Sequence, residues 1–109
     1  MSSQKRTLKL AYSSWPTGRH ASAWRLPEAF NAGIVDPKYA IDSVRAAERG
    51  IFDYFFIGNV ISSNPASQTS WHNDVFKMEG FTLASYVAAA SSHIGLVVTA
   101  NSTYQDPFD

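Results

Sequence analysis

The chain has 109 residues, 45% of them apolar and 17% charged, with a formal net charge of +0 and no cysteine. That balance belongs to a globular chain, long enough for one small domain or for part of a larger one. It excludes disulfide scaffolds, thiolate zinc sites and cysteine nucleophiles, and it provides no basic stripe for a nucleic-acid backbone.

Met1 to Lys9 is polar and basic with no apolar run behind it, so no secretory signal is expected. Thr7 to Tyr12 (TLKLAY) sets Leu8, Leu10 and Tyr12 against Lys9 and Ala11, which predicts a first short strand. A long loop follows, punctuated by Pro16, Gly18, Pro27 and Gly33. Asp36-Pro37 is a strong helix start, because the aspartate can cap free N–H groups and proline needs none at the first position. The helix then predicts an inner stripe of Tyr39, Ile41, Val44 and Ala47, with Gly50 as its left-handed end.

Ile51 to Ile57 (IFDYFFI) is short, aromatic and nearly all apolar, as a strand buried on both faces of a parallel sheet would be. Gly58 and Asn59 close it, and residues 60–76 read as a polar loop. Phe81 to Ser91 predicts a second helix carrying Leu83, Val87 and Ala90. His93 to Thr99 predicts a third buried strand, and Ala100 to Asp109 forms a polar tail. No stretch reaches the roughly 20 apolar residues of a membrane span, so a cytoplasmic protein without membrane contact is expected.

The β-α-β-α-β order implies parallel strands with crossover helices, in either an open doubly wound sheet or a β/α barrel. Both architectures place function at the carboxyl ends of the strands. No GxGxxG, GxxxxGK[ST] or GxSxG string is present. His20, His72 and His93 share no ligand spacing, so no metal site is expected. What remains is polar strand ends: Ser13 and Ser14, then Asn59, then Thr99, Asn101, Ser102 and Thr103, with Arg19, His20, Trp24 and Arg25 close behind the first. Such a rim suits a polar organic ligand. The plainer reading stands beside it, with Asn59 and Thr99 capping turns and Trp24 in the core.

Longer strings are more specific. Gly18-Arg19-His20 with Ala23-Trp24-Arg25-Leu26-Pro27 resembles the H-x-x-AWR-x-P signature of one branch of the luciferase-like flavin monooxygenases. That branch includes the nitrilotriacetate, dibenzothiophene-sulfone and long-chain-alkane enzymes. Ala47 to Asp53 is similar to its AERG-x-FD segment, and Phe55 to Asn59 to its F-x-AD segment. Glu79 to Leu83 looks like EPFTLL. Ser92 to Leu96, Ser102 to Tyr104 and Asp106 to Phe108 follow its H-IGL…TTY-x-EPY stretch. The matches are collinear along most of the chain.

The resemblance implies that residues 1–109 are the N-terminal β-α-β-α-β portion of a single (β/α)8 TIM barrel, incomplete in this chain. It implies reduced FMN as cosubstrate, supplied by a separate NAD(P)H:flavin reductase, with O2 used to oxygenate a small organic substrate. Asn59 and Thr99 would contact the flavin, and His20, Trp24 and Arg25 would line the substrate pocket. Asn59 stands where the family has aspartate, so it can hydrogen-bond but cannot act as a base. The resemblance assigns no catalytic residue within the chain. Such barrels need roughly 200 residues or more. The expected partner is therefore the remainder of the barrel; the alternative is a non-catalytic fragment that associates with another chain or with itself. A third possibility is a binding module that uses the same rim for another ligand.

Overall fold

A computed structural model describes residues 7–20, 22–58, 77–103 and 106 of the chain. It contains a three-stranded parallel sheet in the order β1-β2-β3, with β1 at Ala11–Tyr12, β2 at Tyr54–Ile57 and β3 at Gly95–Val98. Helix α1 (Pro37–Arg49) crosses from β1 to β2, and α2 (Gly80–Ala88) precedes β3. Two short 3-10 turns, Ala23–Arg25 and Asn31–Ile34, lie in the first loop.

Helix α1 starts where the sequence predicts. The Asp36 carboxylate accepts the N–H of Lys38 at 2.9 Å, and Pro37 takes the first helical position. The buried stripe is Ala40, Val44 and Ala47 rather than one led by Tyr39 and Ile41, which are half-buried at its flank. Ala40 is small enough to lie against the sheet, while the Tyr39 ring packs on Phe30 with centroids 5.6 Å apart.

The end of α1 differs from expectation. Gly50 has φ −81°, and the left-handed residue is Ile51 at φ 58°. Ile51 N–H donates to the Glu48 carbonyl at 3.0 Å and Phe52 N–H to the Ala47 carbonyl at 3.1 Å. This is the pair of bonds that closes a Schellman turn, with a β-branched residue in the place glycine usually holds. The turn consumes the first residues of the predicted strand, so β2 begins only at Tyr54.

Strand β1 is also shorter than predicted. The Leu10 N–H donates to Asp53 Oδ2 at 2.8 Å, and Lys9 Nζ meets Asp53 Oδ1 at 2.8 Å. A side chain therefore takes the donor that a strand neighbour would have taken. Leu10's carbonyl still accepts the N–H of Asp53 at 2.9 Å, which fixes the register Ala11–Tyr54 and Tyr12–Phe55.

Helix α2 is capped by Glu79, whose carboxylate accepts the N–H of Phe81 at 2.9 Å and of Thr82 at 2.7 Å. It ends at Ala88, short of the predicted Ser91. Both helices pack on the sheet face that carries Phe55 and Ile57; the core there is Ala40, Val44, Ala47, Phe55, Ile57, Val87 and Ile94. Tyr54 is half-buried, and Phe56 on the opposite face is exposed, so β2 is covered on one side rather than two. Among the described residues no helix is long and apolar enough to cross a membrane.

Candidate functional site

A cavity of about 400 Å³ opens at the carboxyl ends of β1 and β2. Ser13 and Ser14 enter it directly after β1, and Ile57 and Gly58 at the end of β2. The strand ends are where the β-α-β topology predicts a site. Apolar side chains from three elements, Ala40 of α1, Phe55 and Ile57 of β2 and Leu83 of α2, line it. Such a wall excludes water and strengthens any polar contact made inside.

The wall also carries polar side chains, among them Ser13, Ser14, Arg19 and Lys77. The Ser14 hydroxyl is buried and has no hydrogen-bond partner among the described residues. A buried hydroxyl normally has one, and an orphan in a cavity wall invites a ligand. Trp15 carries two cations against its indole: Arg19 with Cζ 5.2 Å from the ring centroid, and Lys77 with Nζ 5.8 Å away. Arg19, Trp15 and Lys77 all line the cavity.

The residues singled out from sequence fall in several places. Asn59 lies outside the described residues. Thr99 follows β3, and its N–H donates to the Ile57 carbonyl at 3.0 Å while its hydroxyl lies 3.4 Å from the same oxygen. It sits on the strand-end rim but not in the cavity wall. His20, Trp24 and Arg25 also stand outside that wall. His20 Nδ1 accepts the N–H of Ser22 at 3.1 Å, and the Trp24 carbonyl accepts from Asn31 Nδ2 at 3.1 Å. Arg25 lies over the Trp24 ring, 5.1 Å from its centroid. Trp15 and Lys77 were not legible as site residues. Lys77 comes from a distant part of the chain, and no local pattern links the two.

The most perturbed carboxylates are structural. Three backbone N–H groups, led by that of His93 and followed by those of Ser92 and Ile94, hold Glu48 down at about 2. Lys9 and the Leu10 N–H hold Asp53 below the usual carboxylate range, and the N–H groups of Phe81 and Thr82 do the same for Glu79. None of the three lines the cavity. No cluster of metal-ligating side chains occurs among the described residues.

No family model matches the chain. Curated relatives do. The chain is 35% identical over 108 residues, 99% of its length, to N-acetyl-S-(2-succino)cysteine monooxygenase of Bacillus subtilis (strain 168). It is 35% identical over 101 residues to nitrilotriacetate monooxygenase component A of Aminobacter aminovorans, and 30% identical over 94 residues to dimethyl-sulfide monooxygenase of Hyphomicrobium sulfonivorans. These alignments cover 84% and 81% of the chain. The chain spans about a quarter or less of the relatives it matches: 24%, 22% and 20% of their respective lengths.

Proposed function

Because the chain belongs to the luciferase-like monooxygenases, as a segment of that family, we propose that residues 1–109 are the N-terminal part of a (β/α)8 barrel and supply part of its oxygenation site. The observation that carries the reading is the cavity at the carboxyl ends of β1 and β2. A β/α barrel places its chemistry on that face.

The cosubstrate in this reading is reduced FMN. The residues present fit part of such a ligand. An isoalloxazine needs apolar walls and a few hydrogen-bonding edges; Phe55, Ile57 and Leu83 provide the first, and the orphaned Ser14 hydroxyl provides one of the second. When bound, reduced FMN supplies the electrons for activating O2. The chain's own residues exclude water and orient the ligand. Thr99 is fastened to the end of β2 through its backbone, which leaves its hydroxyl at the rim to meet the flavin. Asn59 offers an amide for the same purpose. His20, Trp24 and Arg25 are assigned to the outer mouth on the first β/α loop.

Reduction of the flavin belongs to a separate NAD(P)H:flavin reductase. The relative named as component A supports that division, since its name makes it one part of a larger system. The substrate is a small organic molecule, and the remaining barrel strands are the structural partner.

Anaerobic titration with reduced FMN, of the chain alone and with a polypeptide supplying the remaining strands, tests the proposal. Binding is expected with the completed barrel, and Asn59→Asp is expected to keep or raise affinity. A large loss in Asn59→Asp refutes that residue's placement, and no reduced-FMN binding in either form refutes the reading.

A further inference from the structure

We propose that Met78 is an oxidation site of the cavity: hydrogen peroxide formed there converts its thioether to the sulfoxide, and the oxidised side chain weakens binding of the cavity's apolar ligand. The source of peroxide is the oxygenase chemistry proposed above, so the inference rests on that reading. It goes further by naming a residue that the chemistry itself modifies.

Sulfur is scarce in this chain. There is no cysteine, and of the two methionines Met1 lies outside the described residues. No thiol is present to compete for an oxidant. Met78 is half-buried and lines the cavity together with Phe55, Ile57 and Leu83. An oxidant formed inside therefore meets this sulfur before it reaches bulk solvent. The neighbours of Met78 are both tethered. Lys77 Nζ lies 5.8 Å from the Trp15 ring centroid, and the Glu79 carboxylate is bonded to the N–H groups of Phe81 and Thr82 at the start of α2. The segment has little freedom to swing away, so the wall has to accommodate any change in the side chain.

In the absence of an organic substrate, two electrons and two protons passing from the reduced cosubstrate to O2 yield hydrogen peroxide. A lone pair of the Met78 sulfur attacks one peroxide oxygen. The S–O bond forms as the O–O bond breaks, and the attacked oxygen gives its proton to the other, which leaves as water. Sulfur is oxidised by two electrons and peroxide is reduced by two. A flexible apolar side chain thereby becomes a polar one. Covering it with an apolar ligand, in a wall shared with Phe55 and Leu83, carries a desolvation penalty. Oxidation so acts as a brake on oxygen consumption without substrate.

Two treatments test this, each read by peptide mass spectrometry with N-acetylmethionine amide in the same solution as reference. In the first, dilute hydrogen peroxide is added without flavin. Met78 is expected to gain one oxygen, with the circular dichroism spectrum retained and the amide signals of cavity residues displaced. An unmodified Met78 beside an oxidised reference overturns the proposal. In the second, the completed barrel receives reduced FMN and O2 without organic substrate, with catalase clearing peroxide from the bulk. Met78 is expected to be oxidised and the reference spared; equal oxidation of the two, or an unmodified Met78 in a barrel that binds reduced FMN, overturns it. After either treatment the anaerobic affinity of the completed barrel for reduced FMN is expected to fall about tenfold, and to return on treatment with methionine sulfoxide reductase. Met78→Leu is expected to show one affinity before and after peroxide. An oxidised Met78 with undiminished affinity, or an equal loss in treated Met78→Leu, overturns the proposal. Should reduced FMN bind neither before nor after treatment, the oxygenase reading fails, while peroxide modification of Met78 and the displaced cavity signals stand without it.

Discussion

The Glu48 carboxylate accepts the backbone N–H of His93 at 2.8 Å, and the same oxygen takes the N–H groups of Ser92 at 2.8 Å and Ile94 at 3.0 Å. One side chain on α1 thereby holds the approach to β3. Ile94, the last of the three, is buried in the core beside Ala47, the residue before Glu48. Helix packing and loop fastening therefore come from neighbouring positions on one turn.

The bond set predicts acid sensitivity. Glu48 is held down at about 2 against an ordinary value of 4.5. A group whose folded value is depressed contributes stability above its ordinary value and loses it as pH falls toward the folded one. The melting temperature should therefore drop between pH 4.5 and about 2. Glu48→Gln should melt lower than the parent at pH 7, because a neutral amide oxygen accepts more weakly than a carboxylate. It should also melt with a shallower acid dependence, the remainder coming from Asp53 and Glu79. Thermal melts across that range decide it, and an unchanged slope in Glu48→Gln would count against the assignment.

Ile51 is the next test. A β-branched residue in the left-handed region costs roughly 1–2 kcal/mol, and Ile51 is 85% exposed, so it recovers little by burial. Ile51→Gly is expected to stabilise the chain by about 1 kcal/mol once the extra freedom of glycine in the unfolded state is deducted. Gly50→Ala should be nearly neutral, since Gly50 has negative φ and an added Cβ would meet Phe52 at 3.4 Å, an ordinary contact. The opposite order of effects in urea melts would place the left-handed residue at Gly50 after all.

These two sites show what the sequence could and could not reveal. The cap at Asp36 was legible because its partner, the Lys38 N–H, is two residues away. The strand-helix alternation and the parallel order were legible because periodicity is local. Glu48 and Asp53 were visible only as part of a family string. Their partners lie 43 to 46 residues away, so their work as fasteners of β1 and β3 appears only in three dimensions. The same holds for the cavity. Ser13, Ser14 and Arg19 stood out in the sequence as polar strand-end residues, but nothing local announced that Lys77 would reach the same Trp15 indole as Arg19.

The core makes a plainer prediction. Val44 is 1% exposed and Val87 0% exposed, in the two helices that pack on the sheet. Val44→Ala and Val87→Ala should each cost about 2 kcal/mol through lost burial and the space left behind. A loss below about 0.5 kcal/mol in denaturant melts would mean that the helices do not pack as described.

Gly33 joins packing to the cavity. It is buried in the second 3-10 turn and lines the cavity wall. A Cβ there would sit 2.5 Å from Phe30 Cδ1 and 2.8 Å from Pro16 Cβ, closer than atoms can approach. Gly33→Ala must move the Phe30 ring or the Pro16 loop and should cost about 1–3 kcal/mol. Pro16 also lines the cavity, so ligand affinity should fall with stability. Phe30→Leu in the same chain should restore part of both, and a single variant with parental stability would show that the wall is looser than the geometry states.

Thr99 separates folding from binding. Its backbone N–H, at 3.0 Å from the Ile57 carbonyl, ties β3 to β2, while its hydroxyl stands at a long 3.4 Å from the same oxygen. Thr99→Val keeps the backbone bond and the shape and loses only the hydroxyl. Stability should change by less than about 0.5 kcal/mol, because a long and partly wet hydrogen bond contributes little. If the hydroxyl meets the flavin as proposed, affinity of the completed barrel for reduced FMN should fall roughly five- to tenfold, the scale of one neutral hydrogen bond at a buried ligand edge. Thr99→Ser, which retains the hydroxyl, should bind like the parent. Equal affinity in Thr99→Val and the parent would place the contact elsewhere on the rim, whereas a drop in melting temperature matching the loss of affinity would make Thr99 a strand fastener alone.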